Sequence, residues 1–118
     1  MSSTSRERGL LSSIGMCRGA GRAVIGVPMI CEELKKRGAQ GGDDVMVIEA
    51  SDTSENTHKR VCDRCAYYKV RHIRIESDCE ALGRAVGKSA VGAVMINDAS
   101  FCRLIDKRLA ETAAEKSQ

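Results

Sequence analysis

Two stretches of the chain carry residue types at spacings that suggest chemistry. The first is Leu82-Gly83-Arg84-Ala85-Val86-Gly87-Lys88-Ser89-Ala90, whose Gly-Lys-Ser looks like a phosphate-binding loop. Such a loop needs four residues between its first glycine and the Gly-Lys pair, and Arg84, Ala85 and Val86 supply three. It must also follow a strand and open a helix, so that backbone N–H groups and the positive end of the dipole meet the phosphate. Gly87 instead closes a helical pattern and precedes an apolar run, where the exposed groups are carbonyls and the dipole is negative. Gly87 therefore reads as a C-terminal cap and Lys88 as a complement to the dipole.

The second stretch is His58-x-x-x-Cys62-x-x-Cys65. These residues fall at i, i+4 and i+7, on one face of a helix. A metal site would need a fourth ligand from elsewhere, for which His72 is the candidate. The pair Cys62/Cys65 lies well inside its helix rather than at the N-terminus that activates redox thiols. The remaining cysteines (Cys17, Cys31, Cys79, Cys102) are scattered singly, unlike a zinc ribbon. Core packing of Cys65 is the expectation, with no metal and no other cofactor. No Ser-His-Asp or paired-carboxylate pattern stands out, and no catalytic residues are assigned.

Helix and strand signals alternate around these stretches. Leu10, Leu11, Ile14 and Cys17 sit at helical spacing, and Gly19 to Arg22 break that helix. Ala23-Val24-Ile25 reads as a short strand. Val27-Pro28 then opens a helix with Ile30, Cys31 and Leu34 inward and Gly38 as its stop. Gln40 to Asp44 reads as a loop. Val45 to Ile48 and Gly92 to Ile96 are continuous apolar runs, as in strands covered on both faces. Asp52-Thr53-Ser54-Glu55 and Ser77-Asp78-Cys79-Glu80 resemble capping boxes led by Asp52 and Ser77. The helix after the first buries Val61, Cys65 and Tyr68; that after the second buries Leu82, Ala85 and Val86. Val70 to Ile75 suggests a half-exposed edge strand. Phe101, Ile105 and Leu109 line the last helix, after the cap Asn97-Asp98, and the polar tail from Glu111 is expected to fray. The pattern predicts one α/β domain over residues 1–118, its core at about 10–109: a three-layer α/β/α sandwich around a small, mixed but mostly parallel four-stranded sheet.

Composition narrows the functions available. Hydrophobic residues make up 42% and charged residues 30%, the balance of a globular chain. Three aromatic residues (Tyr67, Tyr68, Phe101) leave little with which to stack on single-stranded nucleic acid. No run approaches the roughly 20 apolar residues of a membrane helix, and the start lacks a secretory core. A cytoplasmic location follows, with the six cysteines as free thiols. The net charge of +3 is uneven: residues 1–37 carry +4 and the rest −1. A positive end on a nearly neutral body attracts phosphate.

The stretches GMCRGAGRAVIG, VIEASDTSENTHKRVCDRCAYYKV and LGRAVGKSAVGAVMINDASF together resemble the L-seven-Ae / L-thirty-e family of ribosomal and kink-turn RNA-binding proteins, most of all its bacterial branch. The likeness runs from about Leu10 to Leu109 in the right order. It implies an α/β/α sandwich and non-catalytic binding of structured RNA, with ribosomal RNA or the ribosome among the partners. In that family a Gly-x-Asn-Glu-x-x-Lys motif opens the second helix and enters the RNA groove. Gly26 matches the glycine, while Pro28, Met29 and Glu32 stand where Asn, Glu and Lys are usual. The resemblance further points to Asp52 in the loop after the central strand, and to Lys88, Ala90 and Val91 in the loop that packs on RNA. Charge adds Arg22, Lys36 and Arg37 as phosphate contacts. Neither a membrane nor a small-molecule substrate is expected. Two alternatives remain: a protein-interaction module of the same fold that has lost kink-turn recognition, and a thiol or zinc protein built on His58, Cys62 and Cys65.

Overall fold

The alternating patterns become nine elements in the computed structural model, which describes residues 7–38 and 44–116. In chain order these are α1 (Arg8–Gly19), β1 (Ala23–Ile25), α2 (Val27–Arg37), β2 (Met46–Glu49), α3 (Glu55–Tyr67), β3 (Arg71–Arg74), α4 (Cys79–Ala85), β4 (Ala93–Ile96) and α5 (Ala99–Lys116). Of the loop expected at Gln40 to Asp44, residues 40–43 lie outside the described residues. The last helix runs through the segment expected to fray, as far as Lys116, and Thr112 is 8% exposed. Its hydroxyl donates to the Arg108 carbonyl at 3.0 Å.

The four strands form one mixed sheet in the order β1-β4-β2-β3. Only β2 and β3 pair in parallel; β4 runs antiparallel to both of its neighbours. The expected α/β sandwich and mixed sheet are therefore present, but the sheet is not mostly parallel. The apolar runs of β2 and β4 report coverage on both faces, which two helical layers provide whatever the strand direction.

Alternation along the strands assigns the layers. Met46, Ile48, Val94 and Ile96 pack against α1, α4 and α5. Val47, Ala93 and Met95 face the opposite way, against α2 and α3. Burying the Leu, Ile and Val side chains of these clusters contributes about 1.5–3 kcal/mol each, before the entropy cost of ordering them.

Polar contacts fix the connections. The buried Glu7 carboxylate accepts the backbone N–H groups of Glu76 and Ser77 at 2.9 and 2.7 Å, tying the start of α1 to the segment before α4. Arg71 of β3 grips Asp106 of α5 through two hydrogen bonds of 2.9 and 2.6 Å. Ser54, not Asp52, caps α3, and Asp78, not Ser77, caps α4. Each places its oxygen on an N–H of the first turn, the usual N-cap arrangement.

Candidate functional site

Strand register gathers three distant segments at one end of the sheet. β1 leaves the sheet at Gly26, whose N–H reaches the Ala93 carbonyl at 3.0 Å. β2 leaves it at Ala50, whose N–H reaches the Gly92 carbonyl at 2.9 Å. A surface cleft opens there between Gly26–Pro28, Asp52–Ser54 and Ala90–Gly92, with Thr57 and Cys79 on its wall.

Gly26 has φ 93 and ψ 145, a conformation L side chains rarely adopt, and no atom lies within 4 Å of where its Cβ would stand. The turn into α2 thus needs glycine for its backbone rather than for want of space. No side chain caps α2, and Pro28 lies in its first turn. Three helices begin around the cleft: α2 after Gly26, α3 at Ser54 and α4 at Asp78. Ser54 closes the start of α3, and the carboxylates of Asp78 and Asp52 close that of α4, which leaves the uncapped start of α2 as the dipole end open to an anion such as phosphate.

The Asp52 loop is held from both sides. Arg74 of β3 donates to the carbonyls of Ala50 and Ser51 at 3.3 and 2.9 Å and to the Thr53 hydroxyl at 3.3 Å. Asp52 accepts the Cys79 N–H at 2.7 Å, so it serves the start of α4 rather than its own helix. Hydrogen bonding from Cys79, thiol first and backbone second, holds the Asp52 carboxyl below its ordinary range. Burial, then contact with Asp52, pushes the Cys79 thiol up to about 11, so it is no thiolate nucleophile at neutral pH.

The Lys88–Gly92 loop folds back on α4. The Lys88 N–H bonds to the Gly83 carbonyl at 2.8 Å, and the Val91 N–H to the Cys79 carbonyl at 2.9 Å. Backbone meets backbone here, since a Cβ on Gly83 would stand 2.7 Å from the Ala90 main chain.

Of the eight residues singled out from the sequence, Gly26, Asp52, Ala90 and Val91 line the cleft. Ala90 is exposed, whereas Val91 is 7% exposed and turns into the core against α1, α4 and α5. Lys88 is exposed two residues before Ala90. Arg22, Lys36 and Arg37 lie at the opposite end. The Arg22 carbonyl accepts the Asn97 N–H at 2.9 Å beyond β4, and its guanidinium stands 4.0 Å from Asp98. Lys36 and Arg37 end α2, and Arg37 pairs with Asp44 at 3.8 Å. The eight do not form one patch. Thr57, Cys79 and the bracing Arg74 were not anticipated; the hydroxyl-rich run after Asp52 was a signal for the first, while nothing local marks the other two.

The helix-face trio also separates. Cys65 is 2% exposed and packs in the core beside Val61, as expected, and burial pushes its thiol up to about 12. His58 and Cys62 turn instead toward His72 on β3.

This α/β/α sandwich is shared with solved structures. A protein of unknown function from Bacillus halodurans C matches with a TM-score of 0.72 at 24% identity, covering 86% of this chain and 96% of that one. The 15.5kD RNA binding protein of Giardia lamblia matches with a TM-score of 0.66 at 17% identity, covering 93% and 89%. No family model matches the sequence. RNA-binding protein YlxQ of Bacillus subtilis strain 168 is 34% identical over 88 residues, which are 75% of this chain and 82% of that protein. The chain belongs to the family of YlxQ. Among the described residues, no helix is long and apolar enough to cross a membrane.

Proposed function

We propose that this chain is a non-catalytic RNA-binding protein that takes structured, kink-turn-like RNA at the cleft, with ribosomal RNA among its candidate targets. The observation that carries this reading is the meeting of Gly26, Asp52 and Ala90 on one cleft, at the uncapped start of α2. The name of the Bacillus subtilis relative supports it. The α2 dipole and first-turn N–H groups receive a phosphate, and the open space at Gly26 admits the RNA backbone closely. Met29, 60% exposed beside Pro28, offers an apolar face to a base. Without Asn, Glu and Lys at Pro28, Met29 and Glu32, base reading gives way to recognition of shape and phosphate position.

The test is a titration of a fluorescent kink-turn RNA beside an unkinked duplex of equal length at two salt concentrations. The kink-turn is expected to bind more tightly at both. Gly26→Ala is expected to weaken it, and Lys88→Ala to lower the slope of log affinity against log salt by about 1. Arg22→Ala, at the other end of the sheet, should change neither. Equal, salt-sensitive binding to both RNAs would reduce the interaction to general phosphate attraction. Binding to neither would favour the protein-interaction reading.

A further inference from the structure

On the α2/α3 face of the sheet, Glu49 ends β2 as a fully buried carboxylate. Its oxygens lie 2.9 and 3.0 Å from His58 Nδ1, and one of them lies 2.6 Å from His72 Nε2. The Thr53 hydroxyl also donates to it. His58 spends Nδ1 on Glu49 and leaves Nε2 near Cys62, whose sulfur is also 3.9 Å from Nδ1 and so lies beside the ring. His72 spends Nε2 on Glu49 and turns Nδ1 toward Cys62. His58 Nε2 and His72 Nδ1 stand 3.6 and 3.7 Å from Cys62 Sγ. The three donor atoms lie within 4.8 Å of one another.

We propose that His58, Cys62 and His72 bind a zinc ion, with Glu49 as the outer carboxylate that orients both imidazoles. Zinc bonds of about 2.3 Å to sulfur and 2.0–2.1 Å to nitrogen, at the tetrahedral angle, put sulfur and nitrogen about 3.6 Å apart. The two observed separations match that edge. With each ring's N–H given to Glu49, His58 Nε2 and His72 Nδ1 keep free lone pairs near one S–H, which can satisfy only one of them. A turn of the part-exposed His58 ring aims its Nε2 at the same point. A cation at their centre takes up both lone pairs and the sulfur, and the Cys62 proton leaves to solvent. The two positive charges of zinc then meet one negative charge on the Cys62 thiolate and one on Glu49, which the Arg74 guanidinium also approaches at 4.0 Å. Carboxylate–histidine–metal relays of this kind fix ring orientation and raise ligand basicity. One thiolate with two imidazoles suits zinc over magnesium or calcium, which prefer oxygen. The His58 side chain is 36% exposed, so an ion can enter and water can complete the fourth position.

The test is titration of the chelator-stripped full chain with zinc chloride against a chromophoric chelator, and with cobalt(II) under anaerobic conditions. One equivalent of zinc is expected. The cobalt form should show a thiolate-to-metal charge-transfer band together with the intense d–d absorption of a four-coordinate ion. Cys62→Ser should remove the charge-transfer band, and His58→Gln should weaken zinc binding at least tenfold. Glu49→Gln should weaken it by about 10–100-fold while keeping the band. Cys102→Ala, on the opposite face of the sheet, should change neither readout. Circular dichroism of each metal-free variant verifies the fold, and the half-exposed His58 gives a second variant if Cys62→Ser does not fold. Zinc uptake below one equivalent, or uptake and band unaltered in Cys62→Ser and His58→Gln, would overturn the proposal and leave a hydrogen-bonded Glu-His-Cys network.

Discussion

Single residues here serve elements other than the ones that carry them. Asp52 follows β2 and precedes α3, yet it holds the first N–H of α4. Its carboxyl is depressed in the folded protein from an ordinary 3.8, so its charged form contributes stability that is present above that value. The contribution is lost as pH falls through the lower, folded value. In an NMR titration the Cys79 amide resonance should therefore move with a midpoint below 3.8, and Asp52→Asn should abolish that movement. An unshifted midpoint would deny the contact. The resemblance of its segment singled out Asp52, which lines the cleft, but did not show its partner, because a cap at short range competes with one that only the tertiary fold supplies. Glu49 was less legible still. It extends an apolar run, and the strand's alternation turns it inward toward two histidines from different elements.

At the scale of elements, the helices were the most readable. The spacings of Leu10, Leu11, Ile14 and Cys17, and of Val61 and Cys65, mark the buried faces the structure contains. Pairing direction was not readable, because burial on both faces looks the same in a parallel and an antiparallel strand. The loop after α4 shows why the glycine in Leu82-Gly83 matters without any phosphate. Gly83→Ala would drive a methyl into the Ala90 backbone, where neither side has a flexible side chain to yield. Overpacking of this kind costs about 1–3 kcal/mol. Urea unfolding should show that loss as a lower midpoint at unchanged slope, and RNA affinity should fall with it as Ala90 shifts. A variant as stable as wild type would mean that the loop can lift from α4.

The whole molecule has two unlike ends. Three helix starts and the cleft occupy one, while Arg22, Lys36 and Arg37 with Asp44 and Asp98 occupy the other. Counting charges assigns the first 37 residues a net +4 but not its division between ends, because α2 carries its basic residues away from its own N-terminus. Eleven helical residues span about 16 Å, roughly two screening lengths at physiological salt. Lys36→Glu should therefore leave kink-turn affinity within about twofold, whereas Lys88→Glu should cost about tenfold, as expected of a direct phosphate contact facing a reversed charge. Equal losses would shift the contact surface to the far end.

The strand order also bears on how the molecule is made. Among the described residues β4 is the last strand and sits between β1 and β2, so β1 gains its neighbour in this sheet only after the residues up to Ile96 exist. Closing that pairing joins Ala23 to Ile96, far apart in the sequence, and such distant pairings slow folding. Until then the apolar faces of α1 and α2 have no finished sheet to cover. A nascent chain that stalls before β4 therefore exposes them to chaperones and proteases.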